Sequence, residues 1–113
     1  MNRISTHILD LTRGRPASDV PVRLEEMDSS GHWSLLASMR TDQDGRCPQL
    51  LSREELAPGV YRLRFDTASY FGALKIEALY PFVEVTFQVR AGESHFHIPL
   101  LLTANGYTTY RGS

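Results

Sequence analysis

The sequence predicts an all-β sandwich. Short runs of period-2 hydrophobicity recur along the chain, and clusters of Gly, Pro, Asp and Ser separate them at near-regular spacing. Only two short helical pieces break the pattern. That combination is the signature of half-buried antiparallel strands in two packed sheets.

The first predicted strand covers residues 4–11 and stops at Arg13-Gly14-Arg15-Pro16. The second, 20–27, puts Val20, Val22 and Leu24 on one face and ends at Asp28-Ser29-Ser30-Gly31. The third, 32–41, ends at Asp42-Gln43-Asp44-Gly45. Residues 60–65 alternate Tyr61, Leu63 and Phe65 against Arg62 and Arg64. Residues 83–89 alternate Val83, Val85, Phe87 and Val89 against Glu84, Thr86 and Gln88. A long apolar strand over 94–103 and a last one over 107–112 complete the set. Ser52-Arg53-Glu54-Glu55 has the form of a capping box and predicts a short helix. Residues 67–74 predict a second, capped by Asp66 or Thr67.

A chain of 113 residues is expected to form one domain, 1–113, with a single core. The net charge of −1 offers no basic stripe for nucleic acid. Lys75 is the only lysine; the remaining cations are arginines, whose planar forks suit carbonyl and carboxylate recognition. Cys47 is the only cysteine, which excludes an internal disulfide and a thiolate cluster. The opening residues lack the apolar run of a signal peptide, and no stretch approaches the ~20 apolar residues of a membrane span. A cytoplasmic protein is the expectation.

Two strands carry chemistry on the face turned away from the core. In 94–103, Phe96, Ile98, Leu100 and Leu102 share the core face, leaving His95, His97, Pro99 and Leu101 on the other. In the first strand, Ile4, Thr6, Ile8 and Asp10 oppose Ser5, His7, Leu9 and Leu11. A second face rich in Leu and His predicts a surface covered by another subunit. Pro99 has no amide donor, so its strand is expected at an edge or locally irregular. The ending Tyr110-Arg111-Gly112-Ser113 arrives directly off a strand and reads as placed rather than frayed.

His7 and His97 are the candidate acid–base groups, since imidazole titrates near neutrality. Arg46 and Arg111 are the candidates for holding a carbonyl or a developing oxyanion. His95-x-His97 is half of a metal site and His7 could supply a third ligand, but no Asp, Glu or Cys has the spacing to complete the set, and no metal or other cofactor is expected. Cys47 follows Arg46, which can lower a thiol pKa; a buried structural cysteine is the alternative. No phosphate loop or nucleophile elbow is present.

These residues match a known pattern. Thr6-His7-Ile8-Leu9-Asp10 precedes Gly14-Arg15-Pro16-Ala17 and Val20-Pro21-Val22; Thr41-Asp42 precedes Asp44-Gly45-Arg46. Tyr61-Arg62-Leu63 leads to Asp66-Thr67 and Tyr70-Phe71. His95-Phe96-His97-Ile98-Pro99-Leu100-Leu101-Leu102 leads to Gly106-Tyr107-Thr108-Thr109 and the closing Tyr110-Arg111-Gly112-Ser113. Over its whole length the chain resembles the 5-hydroxyisourate hydrolases, the transthyretin-like enzymes of urate degradation. The hormone carriers of that superfamily have a lysine in place of His7 and lack His97 and the closing tetrapeptide. Ala104-Asn105 departs from the proline and aromatic usual in the hydrolases.

The resemblance implies a transthyretin-like sandwich of two four-stranded antiparallel sheets with one short helix near 67–74. It implies a homotetramer whose active sites lie between dimers, lined by the first strand and the last two. It implies hydrolysis of 5-hydroxyisourate to 2-oxo-4-hydroxy-4-carboxy-5-ureidoimidazoline, with His7 or His97 as general base and Arg46 at the carbonyl. Tyr110, Arg111, Gly112 and Ser113 would bind the substrate. The rival readings are a transthyretin-like ligand carrier and an immunoglobulin-like interaction module.

Overall fold

The computed structural model describes residues 2–54 and 56–113, which form a two-sheet sandwich with one helix. The elements are β1 (Asn2–Asp10), β2 (Arg15–Pro16), β3 (Pro21–Met27), β4 (Trp33–Arg40), β5 (Arg46–Arg53), β6 (Gly59–Phe65), α1 (Thr67–Ala73), β7 (Val83–Val89), β8 (His95–Thr103) and β9 (Gly106–Thr109). One sheet runs β2-β1-β8-β9, with β5 also paired to β1; the other runs β4-β3-β6-β7. The sheets close over Ile4, Ile8, Val22, Leu24, Leu63, Phe65, Phe96 and Leu100, so the alternations read from sequence do face one core.

Three features differ from expectation. The β1–β8 pair is parallel, with Ser5 opposite His97 and His7 opposite Pro99, while the other pairs are antiparallel. The long excursion of the chain through the second sheet before β8 permits that parallel return. Next, Ser52 and Arg53 do not start a helix: they end β5, paired with Arg3 and Asn2. Glu55 of the predicted capping box lies outside the described residues. The capping-box pattern lost because β1 supplies ladder partners for this backbone. Finally, β5 went unpredicted because it lacks clean alternation. Its register slips between the Ile4 and Thr6 pairings, and Pro48 falls in the irregular stretch, where no ladder donor is needed.

Pro99 sits in an interior strand, between β1 and β9, and its irregularity is local. Its carbonyl accepts from Thr109 Oγ1 at 2.8 Å, so its donor-less nitrogen faces β9. There the ladder breaks: β9 ends at Thr109, and the chain rejoins β8 only at the Gly112–His97 bridge. The proline therefore leaves no ladder bond unmade and lies beside the gap through which the last residues turn toward His97.

The helix α1 starts at Asp66, whose carboxylate accepts from Ser69 N at 3.1 Å and from Ser69 Oγ at 2.8 Å. It buries Tyr70 and Phe71, and the Tyr70 hydroxyl donates to buried Asp10 at 2.6 Å, tying the helix to the end of β1. The turn after β4 is fixed by Gly45, at φ +75°, whose carbonyl accepts from Ile8 N at 2.8 Å. A Cβ there would overlap the Ile8 carbonyl oxygen, a backbone atom unable to withdraw. Gly45→Ala is therefore expected to cost about 3 kcal/mol, from left-handed backbone strain plus overpacking, measured as a lower urea midpoint at unchanged m-value.

Candidate active site

The cleft is built on the outer face of the β5-β1-β8 sheet. Directly paired residues of adjacent strands project to the same face, so the His7–Arg46 pairing places that imidazole and that guanidinium side by side. The Ser5–His97 pairing places the second imidazole on the next strand. His7 and His97 are diagonal neighbours across the parallel pair.

Local sequence aims each group. Arg46 emerges from the Asp42–Gly45 turn, in which Asp42 Oδ1 accepts from Asp44 N and Arg46 N, each at 2.9 Å. The Asp42 N–H donates to the Arg46 carbonyl at 3.0 Å. This side-chain-closed turn explains the Thr41-Asp42-x-Asp44-Gly45-Arg46 motif: Asp42 is scaffold, Gly45 allows the close approach to β1, and Arg46 is delivered to the cleft. Thr41 anchors the far side, accepting from Val20 N at 2.9 Å and donating to the Ala17 carbonyl at 2.8 Å. The Arg46 guanidinium makes no ion pair or hydrogen bond within the described residues.

His97 is gripped on two sides. Its Nδ1 lies 2.9 Å from Ser5 Oγ. Gly112 lies against the opposite edge of the ring, and its N–H donates to the His97 carbonyl at 2.7 Å. A Cβ at residue 112 would stand 2.6 Å from His97 Cδ2. Partial burial, followed by the nearby charges of His7 and Arg46, holds the His97 pKa below the ordinary imidazole value. The ring is accordingly neutral at pH 7, an acceptor able to take a proton.

A cavity of about 360 Å³ opens over this face, lined by Ser5, Arg46, His95, His97, Gly112 and Ser113 among others. Four of the sequence candidates therefore converge: Arg46, His97, Gly112 and Ser113. His7 stands beside Arg46 and influences the charge state of His97, but does not itself line this cavity. Tyr110 and Arg111 turn the other way, lining a separate hollow between β7 and β8. Arg111 is occupied there: it donates to Glu93 Oε2 at 2.8 Å and to the His95 carbonyl at 3.3 Å, and stacks 4.5 Å over the Phe96 ring. That hydrogen bond draws the Glu93 pKa below the usual carboxylate value. Arg111 thus fixes the path of the chain end that brings Gly112 to His97.

Ser5 is the site residue that sequence reasoning missed. The available signal was its position two before His7 on the same strand face. Cys47 takes the structural alternative: it is buried in the core, and burial, with the charge of Asp42 adding to it, pushes the thiol up to about 11. Among the described residues, no group of three His, Cys, Asp or Glu is arranged to hold a metal. Ala104 and Asn105 form the tight β8–β9 turn, with Asn105 N donating to Thr103 Oγ1 at 3.3 Å, and neither lines the cavity.

Since the Gly112 contact leaves no room for a methyl group, Gly112→Ala is expected to displace the His97 ring or the chain end. A misplacement near 1 Å lowers turnover by about 10²-fold, with the unfolding midpoint unchanged. Steady-state kinetics alongside urea denaturation checks both halves.

Known proteins resemble this chain in sequence and in fold. A 5-hydroxyisourate hydrolase of Salmonella typhimurium is 44% identical over 112 residues, covering 99% of this chain and 82% of the relative. One from Mus musculus is 42% identical over 111 residues, covering 97% and 94%. Among solved structures, Klebsiella pneumoniae 5-hydroxyisourate hydrolase superposes with a TM-score of 0.87 at 35% identity over the full length of both chains. Transthyretin from Sparus aurata superposes with a TM-score of 0.92 at 29% identity, covering 99% of this chain and 97% of that one. The HIUase/transthyretin family pattern matches residues 4–112, and the chain belongs to that family.

Proposed function

We propose that this protein is a 5-hydroxyisourate hydrolase. It would open the strained cyclic amide of that oxidised purine to 2-oxo-4-hydroxy-4-carboxy-5-ureidoimidazoline in urate degradation. The observation that carries the reading is the placement of a neutral imidazole, His97, and a guanidinium, Arg46, that has no ion pair among the described residues, on the walls of one cavity. Fold likeness cannot decide between enzyme and carrier, because both kinds of relative superpose on the whole chain. The residues in the cavity favour the hydrolase, since a carrier needs neither a general base nor an oxyanion partner.

In the proposed mechanism, His97 Nε2 takes a proton from water as the water oxygen bonds to the amide carbonyl carbon. The carbonyl electron pair moves onto its oxygen, where Arg46 holds the developing charge. Collapse of the tetrahedral intermediate breaks the C–N bond, and the departing nitrogen takes a proton from an imidazolium. His7, beside Arg46, is the second imidazole available for that transfer. Gly112 and Ser113 close the cavity around the substrate edge, with Tyr110 and Arg111 shaping the approach of the chain end.

The reading extends to a cytoplasmic homotetramer with clefts at the interface between dimers. The half-buried Leu9 and Leu101 and the exposed Leu11, on the same face as the cleft, support a covered surface. No helix among the described residues is long and apolar enough to cross a membrane.

The test generates substrate in situ from urate and urate oxidase and follows its ultraviolet decay. Decay far above the spontaneous rate supports the hydrolase. Decay at the spontaneous rate from folded protein, with binding of an iodinated aromatic ligand, establishes the carrier instead.

A further inference from the structure

Ser5 has no assigned part in the reaction, yet it makes the one side-chain hydrogen bond that His97 forms within the described residues. Resting on the proposed hydrolase reading, we propose that Ser5 is a positioning residue that accepts a hydrogen bond from His97 Nδ1–H and so leaves Nε2 as the unprotonated nitrogen facing the reaction. The argument is geometric. Ser5 Oγ and Nδ1 are 2.9 Å apart, Ser5 and His97 are directly registered on adjacent parallel strands, and Gly112 blocks the opposite edge of the ring. A flip of the ring that exchanges its two edges would break the Ser5 bond.

The tautomer matters because only one neutral form can act as base at Nε2. Free neutral histidine favours the proton on Nε2, which would direct a donor, not an acceptor, into the cavity. A hydroxyl at 2.9 Å can donate to a bare Nδ1 or accept from Nδ1–H; the proposed base at Nε2 requires the second arrangement, with Ser5 Oγ as the acceptor. The charged and titratable groups facing His97 do not perform this task. His7 on β1, Arg46 on β5, Arg3 on β1 and His95 on β8 share or border its cleft, and none makes a hydrogen bond to its ring. His7 and Arg46 lower its pKa; Ser5 is the side chain placed to hold Nδ1–H and so leave Nε2 bare.

The decisive experiment records long-range proton–nitrogen correlation spectra of the nitrogen-15-labelled protein at slightly alkaline pH, with the His97 signals assigned by their loss in His97→Asn. Wild type is expected to show a protonated Nδ1 and a bare Nε2, and Ser5→Ala to shift toward the opposite form. In parallel, Ser5→Ala is expected to lower kcat about tenfold, the equivalent of one hydrogen bond to a developing charge, with little change in KM. Its pH profile should move with it, and Ser5→Thr should restore both kcat and profile. A wild-type spectrum with the proton on Nε2, or a Ser5→Ala variant with unchanged tautomer and kcat, would overturn the proposal. Because the spectrum is read without substrate, that failure stays separable from failure of the hydrolase reading, which shows only as decay at the spontaneous rate.

Discussion

Replacing His97 by Asn is expected to lower turnover of 5-hydroxyisourate by about 10²- to 10⁴-fold, the range for losing a general base. Substrate affinity should change little. Asn is close to imidazole in size and can still reach the Ser5 hydroxyl, so the slot between Ser5 and Gly112 stays filled. What it loses is proton exchange near neutrality. The effect should therefore fall on kcat, with kcat/KM falling in parallel, the pattern of an interaction made only in the transition state. Unchanged kcat in His97→Asn would remove the ring from the chemistry.

Arg46→Gln carries the second large effect, a loss of about 10²- to 10³-fold in kcat, as for removal of one oxyanion donor. The variant separates chemistry from folding. The turn that presents residue 46 is closed by Asp42 acting on backbone N–H groups, and the guanidinium itself supports nothing in the described structure. Thermal stability should then match wild type. Arg46→Lys should recover part of the activity, since a point charge replaces the planar fork only partially. Arg111 offers the contrast. Its guanidinium is committed to Glu93, the His95 carbonyl and Phe96, so its substitution should disturb the chain end before it disturbs the chemistry.

Much of this architecture was legible in the residues. The two faces of β1 and β8 follow from alternation alone, as does the assignment of His7 and His97 away from the core. The extent of β7 and the helix after Asp66 are likewise local signals. Long-range pairing was not legible. Nothing local in Arg46-Cys47-Pro48 says that this segment is a strand against β1; the ladder and the Asp42 turn make it one. The parallel β1–β8 register, which sets Ser5 opposite His97, is a property of topology, and Ser5 went unnoticed for that reason. The closing residues show the same limit. The sequence groups Tyr110, Arg111, Gly112 and Ser113, but the alternation of an extended chain sends the Tyr110 and Arg111 side chains to one hollow and brings Gly112 and Ser113 to the His97 cavity.

The central claim, that a neutral His97 drives water attack in the cleft beside Arg46, is tested most directly by the pH dependence of kcat/KM on 5-hydroxyisourate. Burial and the neighbouring positive groups lower the His97 pKa, so the base form persists below the ordinary imidazole value. The rate should hold on acidification through pH ~6.5 and fall only below it, and that acid limb should vanish in His97→Asn. An acid limb centred well above pH ~6.5, or one that survives in His97→Asn, would contradict the account.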